Sequence, residues 1–206
     1  MDKNGHEPSG ALIKALLING ATDLENQTHR FAAVGSSNVL KPTPLTIGAA
    51  PNCIQGFGML NIDNALLPIL AANPNEGGYV SSHALPVNGH WGQSVKNKFD
   101  SDLTVTMTWT DPRGAELQQY FELSTYLVNA DGDKKFVPET WKYDTPADWT
   151  RMQGAPNKAA ENNNVQRLTW KRLPANKTVR ICVECKRTYA ANETADFACA
   201  WYVKKS

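Results

Sequence analysis

The chain has 206 residues, 41% of them hydrophobic, and its 21 Lys and Arg against 20 Asp and Glu leave a net charge of +1. That length holds one large domain or two small ones, and that apolar content can bury a core, which excludes a disordered tail. The balanced charge gives no electrostatic reason for a nucleic-acid or anionic-membrane partner, and no apolar run reaches the roughly eighteen residues needed to span a bilayer.

Residues 8–18 are apolar nearly all round, with Lys14 the single charge, and predict a helix buried on more than one side, as in an α/β layer. Pro8 suits its first turn, and Gly20 suits the C′ position that closes it. Asn61 with Asp63 caps a second short helix through Leu67, which Pro68 is expected to curtail. Residues 73–93 are rich in Asn, Pro and Gly and read as a linker between a unit at 1–72 and a unit at 94–206.

After residue 94 the hydrophobic period changes from helical to alternating. Leu103, Val105, Met107 and Trp109 point one way, and Thr104, Thr106, Thr108 and Thr110 the other, which is the pattern of a half-buried strand. Asp111-Pro112-Arg113-Gly114 ends it as a turn. A strand over 120–128 leads through Asn129-Ala130-Asp131-Gly132, a hairpin signal, to Lys135-Phe136-Val137, and 144–164 forms a long excursion. Strands resume at 165–172 and 178–187, and a final hairpin pairs 178–187 with 196–204. The fold class expected is α+β overall: a helical first part followed by an antiparallel β-sandwich.

Two stretches carry a family resemblance. The helix at 8–18, followed by Asn52-Cys53-Ile54-Gln55-Gly56-Phe57-Gly58-Met59-Leu60-Asn61-Ile62-Asp63-Asn64-Ala65-Leu66, resembles the end of the catalytic domain of subtilisin-like serine proteases (the subtilase, or peptidase S8, family). Leu103-Thr-Val-Thr-Met-Thr-Trp-Thr-Asp-Pro-Arg-Gly114 is similar to the first strand of the jelly-roll domain that follows it in larger members. The resemblance spans 8–72 and 94–206. It departs at Gln118-Gln119-Tyr120-Phe121-Glu122-Leu123, where the family often has an Asn-Asp-Leu-Asp-Leu strand.

The resemblance implies a C-terminal fragment of a secreted endopeptidase, with the export signal upstream of Met1, and with the parent's catalytic domain and polypeptide substrate as partners. In the family the helix carries the nucleophile in a Gly-Thr-Ser-Met-Ala segment. Here that segment is missing, so this chain is expected to hydrolyse nothing, and the sandwich to stabilise the parent or gate its substrate.

A triad needs a nucleophilic Ser, a His to take its proton and an Asp to orient the His. Ser36 and Ser37 lie outside any Gly-Xaa-Ser-Xaa-Gly elbow, and His6, His29, His83 and His90 read as loop histidines. Cys182 and Cys185 have zinc-ligand spacing without a second ligand pair. The expected hairpin register sets Cys185 opposite Cys199, a candidate disulfide whose alternative is two buried thiols, and leaves Cys53 either unpaired or paired with Cys182 if the two units meet there. Asp100, Asp102, Asp111, Asp131 and Asp133 offer hard oxygens that make calcium the one candidate ion, but Asp131-Gly132-Asp133 has too few carboxylates for an EF-hand loop and is explained by turn chemistry, so no cofactor is expected.

Trp109, Trp170 and Trp201 fall in alternating strands as core, whereas Trp141 and Trp149 flank a loop-rich stretch as a candidate exposed aromatic face. That face supports an alternative reading, a non-catalytic β-sandwich module that binds glycan or protein; a third reading is a free-standing hydrolase with an unfamiliar site. Asn26, Asn176 and Asn192 each open an Asn-Xaa-Thr sequon and are candidate N-glycosylation sites, which favours the secretory route.

Overall fold

Two antiparallel sheets face each other across one core, and two helices cover the outside of the larger sheet. The computed structural model describes residues 7–34, 40–47, 50, 55–111, 117–128, 164–190 and 193–205. Helix α1 (Gly10–Gly20) is followed by a two-stranded hairpin of β1 (Thr28–Val34) and β2 (Leu40–Thr46), then by helix α2 (Ile62–Leu70). Strands β3 (Gly77–Pro86), β4 (His90–Lys96), β5 (Ser101–Trp109), β6 (Tyr120–Val128), β7 (Val165–Leu173), β8 (Thr178–Arg187) and β9 (Thr194–Lys205) complete the chain. One sheet has the order β3-β9-β5-β7 and the other β4-β8-β6, so each of these strands lies in the sheet opposite its neighbour in sequence.

The alternation read along β5 explains the inner core. Leu103, Val105, Met107 and Trp109 are buried there beside Val179, Ile181 and Val183 of β8 and Phe197, Cys199 and Trp201 of β9. Each large apolar side chain fully removed from water contributes about 1.5–3 kcal/mol. Aromatic rings set the spacing between the sheets: Phe121 lies 5.6 Å from Phe197 and 5.5 Å from Trp109, and Trp91 lies 5.7 Å from Phe197.

The other face of β5 departs from expectation. Thr104, Thr106 and Thr108 are buried as well, because α1 lies across them. The Thr106 hydroxyl donates to Asn19 Oδ1 at 2.9 Å, and the Thr108 hydroxyl to the Ala11 carbonyl at 2.6 Å. Leu12, Ala15 and Leu16 pack on Ala198 and Ala200 of β9, whose small side chains let the helix approach. So β5 is buried on both faces, and α1 takes its sheet from the sandwich itself.

Helix ends are local chemistry. Ser9 caps α1 by accepting from the Leu12 amide, and Asn61 caps α2 by accepting from the Asn64 amide. Gly20 belongs to the last turn of α1, not to a C′ position: a Cβ there would lie 2.3 Å from the Ala65 nitrogen of α2, so the glycine serves the helix crossing. Pro68 is tolerated inside α2, which continues to Leu70.

The segment 73–93 is not a linker. It holds β3 and β4, one in each sheet. Its glycines meet a packing demand that composition alone reads as looseness: a Cβ on Gly78 would stand 2.5 Å from the Trp201 ring. The final hairpin is also corrected. β8 pairs with β4 and β6, and β9 with β3 and β5, so the two strands share the core from opposite sheets. Period-two alternation fixes which face is inward but cannot tell a neighbour within a sheet from one across the core. The stretches 129–137 and 144–163, read as a hairpin and an excursion, lie outside the described residues.

At one end of the sandwich, buried Asn97 ties two turns together. Its side-chain amide donates to the carbonyls of Leu173 and Pro174, both at 2.9 Å, and its oxygen accepts from Ser101 at 2.8 Å.

Replacing Thr106 by Val leaves the buried Asn19 oxygen without its donor. We expect a loss of about 1–3 kcal/mol in urea unfolding, with the two helices releasing together from the sheet. An unchanged midpoint would mean that the helical layer is not anchored there.

Candidate docking surface

The outer side of the helical layer is where the structure leaves apolar chemistry unused. Ile13 and Leu17 of α1, four residues apart, share one face. On α2 the spacing repeats in Ile62, Leu66 and Leu70, with Leu67 beside them and Met59 and Leu60 just ahead. All are exposed, Leu70 to 72% and Met59 to 57%. Lone surface leucines need no explanation, but apolar stripes on two helices packed side by side do. Lys14 does not break the pattern, because it turns to Asn164 and donates to Oδ1, and partial burial lowers its pKa.

The Gln55-Gly56-Phe57-Gly58 segment sets how α2 begins. Gln55 accepts from the Leu24 amide at 2.9 Å and donates to Asp23 at 2.9 Å, and Thr22 bridges Met59 by two backbone bonds of 2.8 Å. Arg167 of β7 reaches under this corner and donates to the carbonyls of Ala21 at 3.2 Å and Phe57 at 3.0 Å. Burial lowers its pKa, while Tyr202 and Asp23 favour the cation. The corner is thus held to the four-stranded sheet, and Met59 and Leu60 project from a fixed base.

Among the described residues, those weighed as catalytic are not brought together. His83 packs against the rings of Trp91 at 6.4 Å and Phe197 at 5.7 Å, and His90 is exposed at the start of β4. Neither hydrogen-bonds a serine among the described residues. His29 falls in β1, while His6, Ser36 and Ser37 lie outside the described residues. A cleft of about 280 Å³ beside Ser9 is lined by Ser81, Ser82, Thr110, Thr194 and Asp196, and among the described residues no histidine that could act as base lines it.

Cys185 and Cys199 are not cross-strand partners, because their strands sit in opposite sheets; both thiols are free and buried. The hairpin register that suggested a bond between them is not formed. Cys182 is free and buried too, on the opposite face of β8 from Cys185, and Cys53 is outside the described residues. Among the described residues no three His, Cys, Asp or Glu side chains gather as a metal site. Asp100 accepts from the Ala175 amide, Asp102 from Arg172, and Asp111 from Gln118 and Gln119, so each fixes a turn. Asp131 and Asp133 fall outside the described residues, as do Trp141, Trp149 and Asn192. Trp109, Trp170 and Trp201 are buried. Asn26 and Asn176 occupy exposed turns.

Two outcomes are expected. Leu66→Lys with Leu70→Lys changes an exposed stripe, so thermal stability stays within about 0.5 kcal/mol while self-association, read by light scattering, falls. A large destabilisation would show that the stripe is packed after all. The second concerns pH. Burial raises the thiol pKa of Cys182, Cys185 and Cys199. A raised folded pKa keeps the proton where the unfolded chain releases it, so this stabilisation is full below the free-thiol value of about 8.5 and drains as pH rises beyond it. Cys199→Ala is expected to flatten the alkaline fall of the urea midpoint; an identical slope would contradict it.

No protein-family model and no curated protein matches this chain.

Proposed function

We propose that this chain is a non-catalytic docking part of a secreted subtilisin-like serine endopeptidase, formed by the tail of its catalytic domain and a jelly-roll β-sandwich. The outward apolar stripes on α1 and α2 carry this reading. A helical layer that buries one side on a sheet and leaves the other apolar is built to be covered by a further layer. The parent's catalytic domain, upstream of this chain, is the layer that the family resemblance supplies.

The strand order supports the second half. Pairings β3 with β9, β4 with β8 and β5 with β7 are those of one long hairpin folded over on itself, which is how a jelly roll is wound. In this arrangement the sandwich stiffens the parent through the helices or restricts access to its cleft. Polypeptide cleavage belongs to the parent and proceeds through its own Ser, His and Asp.

The test is the intact mass and N-terminal peptides of the native protein from its source, with serine-directed fluorophosphonate labelling. A product continuing upstream through Gly-Thr-Ser-Met-Ala, and labelled there, is expected. A native product that starts at Met1 and takes no label would sink the proposal.

A further inference from the structure

We infer that Asn26 and Asn176 carry N-linked oligosaccharide in the native protein. The argument rests on what the fold does with its asparagines. Seven described asparagines are buried or half-buried, and each has a hydrogen-bonding task for its side chain. Asn19 accepts from Thr106, Asn61 caps α2, and Asn64 donates to the Gly20 carbonyl. Asn73 pairs with Glu76, Asn75 accepts from the Lys96 amide, Asn97 ties two turns, and Asn164 donates to the Trp109 carbonyl. None of these seven has Ser or Thr two residues on.

The exposed asparagines are Asn26, Asn88 and Asn176. All three sit in left-handed turns, at φ 65°, 62° and 63°. Two of the three open a sequon, Asn26-Gln27-Thr28 and Asn176-Lys177-Thr178. The sequons therefore fall on exposed asparagines whose carboxamides take no hydrogen-bonding task among the described residues.

Backbone bonds hold both turns: the Asn26 amide donates to the Ile47 carbonyl at 2.9 Å, and the Asn176 amide to the Asn97 carbonyl at 2.8 Å. A bulky, solvated group on either side chain displaces nothing packed, which is the condition for retaining a glycan after folding.

The chemistry requires an oligosaccharyltransferase and a lipid-diphosphate-linked oligosaccharide as donor. Asn Nδ2 forms a bond to the anomeric carbon, the carbon–oxygen bond to phosphate breaks, the lipid diphosphate leaves with the electron pair, and Nδ2 gives up one proton. The inference needs only passage through a compartment holding that machinery, so it stands apart from the protease reading.

The experiment is peptide mass spectrometry of the native protein before and after peptide N-glycosidase, which turns a glycosylated Asn into Asp. We expect HexNAc-bearing peptides containing Asn26 and Asn176, converted to Asp by the enzyme. Unmodified Asn26 and Asn176 in the native protein would overturn the inference. As a control independent of refolding, the full chain is secreted from animal cells behind a cleavable leader. There it should lose one glycosidase-sensitive gel step with Thr28→Val and one with Thr178→Val, variants that keep each asparagine turn. Steps unchanged by both substitutions would equally overturn it.

Discussion

The Thr106 hydroxyl donates a hydrogen bond to Asn19 Oδ1 beneath a helix that, by composition, had every reason to seek another sheet. That contact fixes the architecture. An antiparallel strand normally divides its faces between core and water, and the threonines of β5 are the residues expected on a wet face. Here α1 closes that face, and the hydroxyls must find acceptors inside the protein. Thr106 finds Asn19 and Thr108 finds the Ala11 carbonyl. Each is a modest net gain of about 1 kcal/mol, but leaving either group buried and unpaired costs about 1–3 kcal/mol. The helix is therefore held in register by polar groups and held down by Leu12 and Leu16 on the alanines of β9.

Once α1 is seated this way, the outer stripes follow. A helix apolar nearly all round cannot hide both sides on one sheet. Leu12 and Leu16 go inward, so Ile13 and Leu17 are carried outward, and α2, crossing where Gly20 allows contact with Ala65, adds Ile62, Leu66 and Leu70. Burying such side chains is worth about 25 cal/mol per Å², a gain taken only when a partner surface arrives. The hydrogen bonds of Asp23, Gln55 and Arg167 fix the start of α2, so a partner covering the stripe would meet it already ordered.

The sequence made the sandwich's inner face legible because period-two alternation in 103–109 and 178–185 is a direct image of a pleated strand with one apolar side. It made Asn61 legible as a cap for the same local reason. Other features depend on contacts between segments far apart in the chain. Gly78 looks like linker composition until Trp201 is placed over it, and Gly20 looks like a helix stop until Ala65 is placed beside it. Cys185 and Cys199 share an apolar phase, which alternation reports correctly, yet opposite sheets separate their strands. The stripe on α2 was present in the spacing of Ile62, Leu66 and Leu70, and was obscured because Pro68 suggested a helix too short to carry it.

Free thiols and sequons pull in different directions when a compartment is inferred, since secreted domains usually oxidise their cysteines. Burial resolves the tension for this chain. A thiol reacts as its thiolate and only where a reagent can reach it. Cys182, Cys185 and Cys199 are each buried, and desolvation holds each in the protonated form. Cys185 and Cys199 supply volume to the core instead of a crosslink. Aromatic contacts between the sheets close the sandwich where these three thiols form no crosslink, so Cys182, Cys185 and Cys199 as free thiols are compatible with an oxidising environment and with the glycans proposed for the turns outside.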